Sequence, residues 1–189
     1  MKQLEFLKKL NKIKKPYYTL ADLQIILGKK RAVTKVMVSR FVKRGVLKKI
    51  GRNVYVPALT EYNIEEIAAD LYPPCYLSFE TVLSKYGILS QLPYTLTFAT
   101  SRRSKKIILD GREVEYRKLK KELFFGYKFV GKLPLAEPEK ALLDQVYMVS
   151  LGLASLDFKE LTLREISKKQ LLNFSKKFPK RVQKMLSLL

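Results

Sequence analysis

Histidine and tryptophan are absent from the 189-residue chain, and cysteine occurs once, at Cys75. Without histidine there is no Ser-His relay, no imidazole base and no His-containing zinc site. An enzyme is therefore not expected, and neither is a cofactor. A lone cysteine excludes an internal disulfide and suits a reducing cytoplasm. Long apolar runs are missing too. No stretch approaches the ~20 residues of a membrane-spanning helix. The opening MKQLEFLKKLNKIKK breaks its apolar positions with charges, unlike a secretory signal. Acidic residues are scarce: 17 Asp and Glu face 38 Lys and Arg, a formal charge of +21.

What remains is ample for folding. With 47% hydrophobic and 11% aromatic residues, the chain can fill one sizeable core or two small ones. The positive charge is unevenly spread. Residues 1–60 carry 16 basic and 2 acidic side chains, residues 61–150 carry 13 and 12, and residues 151–189 carry 9 and 3. A uniformly Lys-rich surface would not spare the middle, so the front reads as a polyanion-binding module.

Leu4, Leu7, Leu10 and Ile13, with Phe6 as a second row, predict an amphipathic helix over 2–14, stopped by Pro16. Thr19 and Asp22 form a capping-box pattern ahead of LADLQIIL, whose core stripe is Leu20, Leu23, Ile26 and Leu27 before Gly28. A third helix spans about 31–44, lacks a clear N-cap and buries Thr34, Met37, Val38, Phe41 and Val42. VLKKI and NVYVP then read as a hairpin turning at Gly51-Arg52. Three helices and a hairpin are the order of a winged helix-turn-helix.

The remainder, 61–189, reads as an α+β domain with a small, mainly antiparallel sheet and C-terminal helices. NIEEIAADLY is a helix halted at Pro73, Ser78 is positioned to cap FETVLSKY, and EKALLDQVYMVSLG follows Pro138 as a helix. TLTFAT, KKIILD, EVEYRK and YKFVGKLPL read as strands, with a tight turn at Asp110-Gly111. LTLREI and the segment from 168 onward read as helical, with an apolar stripe running from Leu171 to Leu189 and lysines on the other side.

On the third helix, a step of about 100° per residue sets Lys35, Val36, Ser39, Arg40 and Lys43 opposite the core stripe. An outward valine among hydrogen-bond donors suits thymine methyls in a major groove, Arg40 suits guanine edges, and Ser39 suits a base or phosphate. Lys48, Lys49, Arg52 and Asn53 lie on the hairpin, where a wing grips phosphate or enters a minor groove. Lys29, Lys30 and Arg31 precede the helix and serve equally as phosphate contacts or solvated surface. Asp110, Glu113 and Glu115 resemble a nuclease carboxylate set only superficially, since the strand lacks the Glu-x-Lys pairing; a solvated strand face is the expectation. Glu137, Glu139, Lys140 and Asp144 each have a structural account at a helix start.

The runs VSRFVKRGVLKKIGRNVYVP, IAADLYPPCYLSFETVLSKYGIL and PLAEPEKALLDQVYM occur in the order of the AbiEi antitoxin family, which the whole chain resembles. That resemblance implies a winged helix that binds inverted repeats in the double-stranded DNA of its operon promoter and represses transcription. It also implies a C-terminal domain that counteracts a nucleotidyltransferase-type toxin of a type IV phage-defence system, with no stable complex required. Two domains, 1–60 and 61–189, are expected. The alternatives are an RNA-binding basic protein, a solitary winged-helix regulator and a nucleic-acid enzyme using the winged helix as a targeting module.

Overall fold

The computed structural model describes residues 3–186. The expected helix start at Lys2, the last stripe residue Leu189 and the side chain of Leu4 lie outside the described residues. The chain is mixed α+β and divides into two compact units. One comprises Met1–Ile67 with Ile108–Gly111, the other Ala68–Ile107 with Arg112–Leu189. The division falls after Ile67, within a helix, and not at the expected 60/61 boundary.

The first unit contains helices α1 (Gln3–Ile13), α2 (Leu20–Leu27) and α3 (Arg31–Lys43), and strands β1 (Tyr18–Thr19), β2 (Leu47–Gly51) and β3 (Val54–Pro57). The strands form one sheet in the order β1-β3-β2, antiparallel throughout. β1 is too short to show a periodic pattern in sequence. Its Tyr18 is buried, and the hydroxyl donates to the Leu10 carbonyl at 2.9 Å.

In α1 the buried row is Phe6 and Leu10, four residues apart, while Ile13 is exposed. The i, i+4 pair decides the face, and Phe6 stacks on Phe41 of α3 at 4.2 Å between ring centroids. The capping box of α2 forms as expected: the Asp22 N–H donates to Thr19 Oγ1 at 3.2 Å, and the Thr19 N–H to Asp22 Oδ2 at 2.8 Å. Gly28 closes α2 in the left-handed region at φ 61°.

The hairpin turns one residue later than expected. Gly51 belongs to β2, and a Cβ there would meet Leu109 at 2.8 Å, so the glycine serves a close approach. Arg52 and Asn53 form the turn, with Asn53 at φ 61°, a conformation asparagine tolerates better than most residues.

The second unit carries the six-stranded sheet. Helix α4 (Ile64–Leu71), which spans the division, is followed by β4 (Cys75–Leu77), α5 (Phe79–Lys85), β5 (Leu96–Thr100), β6 (Lys105–Leu109) and β7 (Arg112–Lys118). Then come β8 (Tyr127–Val130), β9 (Leu133–Ala136), α6 (Pro138–Ser150), α7 (Lys168–Ser175) and α8 (Lys180–Leu186). The strand order is β6-β7-β5-β4-β9-β8. β4–β5 and β8–β9 pair antiparallel, but β5–β7 and β4–β9 pair parallel.

Antiparallel pairs prevail, as expected, since β6 and β7 are joined by a two-residue hairpin turn, but two of the five pairings are parallel and the sheet is mixed. β6 is laid outside β7 and lets β7 run alongside β5, so strands adjacent in sequence are not all adjacent in the sheet. YKFVGKLPL is two strands, not one, and LTLREI is not helical. α6 packs against α5, α7 and α8 and is buried along nearly its whole length. Among the described residues, no helix is long and apolar enough to cross a membrane.

Candidate nucleic-acid interface

α3 buries Thr34, Val38 and Phe41, leaves Met37 and Val42 half-buried, and turns the rest outward. Lys35, Val36, Ser39, Arg40 and Lys43 are all exposed, Val36 by 52%. Helical geometry puts these five within an arc of about 140°. No side chain caps the start of α3, where Lys30 stands at the N-cap position. Packing holds the helix, because its β-branched residues favour it little.

Lys35, Arg40, Lys43, Lys49 and Arg52 form no ion pair with another described residue. Their charge is open to an anion. On the hairpin, Lys49 and Arg52 are exposed and Asn53 is half-buried at the turn. Lys48 differs from them. Its Nζ lies 2.8 Å from Asp110 and 2.8 Å from the Tyr62 hydroxyl, which itself donates to Asp110 at 2.6 Å. These contacts push the Lys48 ammonium up to about 12 and hold the Asp110 carboxyl below its ordinary value, the Lys48 hydrogen bond being the main cause. Nothing in the lysine's sequence neighbourhood signals that partner, which lies 62 positions away.

The carboxylates of β7 are likewise spoken for. Glu113 and Glu115 share one face, with Val114 and Tyr116 buried on the other. Lys106 lies 3.1 Å from Glu113 and 3.5 Å from Glu115, and Arg117 lies 2.9 Å from Glu115. Among the described residues, no three Asp, Glu or Cys side chains come together to hold a metal ion.

One cluster escaped sequence reasoning. Lys140 and Asp144 are both fully buried, not a surface i, i+4 pair. Asp144 accepts from Lys140, from the Tyr76 hydroxyl at 2.9 Å and from Ser78 Oγ at 2.8 Å, and Lys140 also donates to Tyr76 at 2.8 Å. The Ser78 hydroxyl is thus committed to Asp144 and does not cap α5, contrary to expectation. Phe125 and Phe178 lie 5.1 and 5.2 Å from the ammonium. Burial pushes Lys140 down and Asp144 up, so each charge depends on the other for its stability. The available signal was the width of the apolar surface in ALLDQVYM, which leaves no side for a solvated pair. Burial also pushes the Cys75 thiol up to about 12, which makes it a poor nucleophile.

The first unit thus presents an unneutralised basic helix face beside a basic hairpin, and the second a buried ionic network. Comparison of the chain with protein-family models and with curated proteins returns no match.

Proposed function

We propose that the protein is a DNA-binding transcriptional regulator whose first unit is a winged helix-turn-helix, with α3 as the reading helix and the β2–β3 hairpin as the wing. The observation that carries this reading is the composition of the outward face of α3. A half-exposed Val36 stands among Lys35, Ser39, Arg40 and Lys43, an apolar contact set within hydrogen-bond donors. The order helix, short strand, two helices, hairpin supports it, as does the concentration of positive charge in residues 1–60. In this reading Arg40 takes a guanine edge, Val36 meets a thymine methyl, and Lys43, Lys49 and Arg52 contact phosphate. Lys48 contributes less, because it is already paired with Asp110.

The resemblance to the AbiEi antitoxins extends the proposal. The regulator acts on its own operon and its second unit counteracts a nucleotidyltransferase-type toxin in the cytoplasm. Gel shifts test the first half: the full chain retards the duplex upstream of its own gene, and hairpin RNA competes poorly. Stronger competition by RNA would favour the RNA-binding alternative. Growth rescue tests the second half, by co-expressing the chain with the product of the adjacent downstream reading frame. A lack of rescue, or an unrelated downstream gene, would leave a solitary regulator.

A further inference from the structure

Of the basic residues on the proposed reading helix and wing, Lys48 alone forms an ion pair among the described residues. A lysine ammonium has three N–H donors. Three acceptor atoms surround this one: Asp110 Oδ1 at 2.8 Å, Asp110 Oδ2 at 3.0 Å and the Tyr62 hydroxyl at 2.8 Å. The Tyr62 hydroxyl donates onward to Asp110 Oδ2 at 2.6 Å and closes the cluster. All three donors are occupied, and none is left for a phosphate oxygen.

Backbone contacts fix Asp110 in place. Its N–H donates to the Ile50 carbonyl of β2 at 2.6 Å. Beside it, Leu109 and the Ile108 carbonyl lie so close to Gly51 that a Cβ there would stand 2.8 and 3.2 Å from them. The turn carrying Asp110 counts with the first unit, as Tyr62 does.

The charge of Asp110 is out of keeping with its surroundings. Residues 1–60 hold 16 basic and 2 acidic side chains, and this turn adds an acid to the hairpin from far along the chain. A pair whose side chains are 48% and 32% exposed contributes little to stability. The same exposure leaves it within reach of a duplex.

We propose that Asp110 acts as an internal substitute for a DNA phosphate: it occupies Lys48, withholds it from the duplex and so attenuates binding by the wing. This rests on the DNA-binding reading and concerns the regulation of the same site. Fluorescence anisotropy of the full chain with the duplex upstream of its own gene, across a salt series, tests it. Asp110→Asn removes the charge and keeps a residue that tolerates φ 50°. It should bind a few-fold tighter at about 50 mM salt, with a salt slope steeper by about 1, and that gain should shrink roughly threefold by about 200 mM. A pair that only braces the fold predicts equal or weaker binding from this variant. Lys48→Ala alone should leave the slope unchanged, since the lysine is already occupied. In the Lys48→Ala background, Asp110→Asn should no longer steepen it. Wild-type binding without a gain in Asp110→Asn would overturn the proposal and leave the DNA-binding reading standing, as would an equally steepened slope without Lys48. Absence of binding by every variant would overturn both. Should Asp110→Asn unfold, Lys48→Ala decides: a slope reduced by about 1 would place the wild-type lysine on phosphate and overturn the proposal.

Discussion

At the scale of single residues, the sharpest energetic statement concerns Lys140 and Asp144. Two fully buried charges hold each other, and removing one strands the other in an apolar core. Lys140→Met or Asp144→Asn should therefore destabilise the chain by about 3–5 kcal/mol in chemical denaturation. Replacing both, as Lys140→Met with Asp144→Leu, should cost less than the sum of the single variants. Additive losses would show that the two charges are not coupled. Asp110 gives a second, pH-dependent expectation. Its carboxyl is held below the ordinary value of 3.8, chiefly by Lys48, so it binds protons less readily in the folded chain than in the unfolded one. That contribution is present above the unfolded value and is lost as pH falls through the folded one. Asp110→Asn, which suits the same left-handed turn, should melt below the wild type at neutral pH and level with it near pH ~2. A gap that persists in acid would mean that the Lys48 contact is not its source.

At the scale of elements, local chemistry decides most of the first unit. Thr19 and Asp22 are reciprocal partners at the start of α2, so Thr19→Ala should cost about 1 kcal/mol in a thermal or denaturant melt. Asn53→Gly should be nearly silent, while Asn53→Val should cost roughly 1–2 kcal/mol because a β-branched residue resists φ 61°. No difference between the two would contradict the turn geometry. These same features explain what was legible beforehand. The helices α2 and α3, their buried stripes and the outward face of α3 follow from 3.6-residue periodicity, a cap and closing glycines. The misreadings share another cause. Gly51 looked like a turn residue because its need for space comes from Leu109, far along the chain. Ser78 looked like a cap because its true partner, Asp144, lies 66 positions away. Parallel pairing of β5 with β7 left no trace in either strand. Long-range packing overrode local propensity each time. Of the candidate site, every outward α3 residue named from sequence is exposed, whereas the pairing of Lys48 with Asp110 joins residues 62 positions apart and leaves no sign in either segment.

At the scale of the whole molecule, positive charge is concentrated at the front of the chain. The first 60 residues hold nearly half of all basic side chains and only Glu5 and Asp22 in opposition. A solvated basic surface and a reading surface differ in what one side chain does. The most direct measurement is fluorescence anisotropy of the full chain with the duplex upstream of its own gene and with a scrambled duplex, across a salt series, for wild type, Arg40→Ala and Lys49→Ala. Wild type should prefer the upstream duplex, and log affinity should fall linearly with log salt. Lys49→Ala should weaken both duplexes alike and reduce the salt slope by about 1. Arg40→Ala should lose roughly 1–3 kcal/mol on the upstream duplex and far less on the scrambled one. Equal wild-type affinity for the two duplexes, or an Arg40→Ala loss that is the same on both, would contradict α3 as a reading helix.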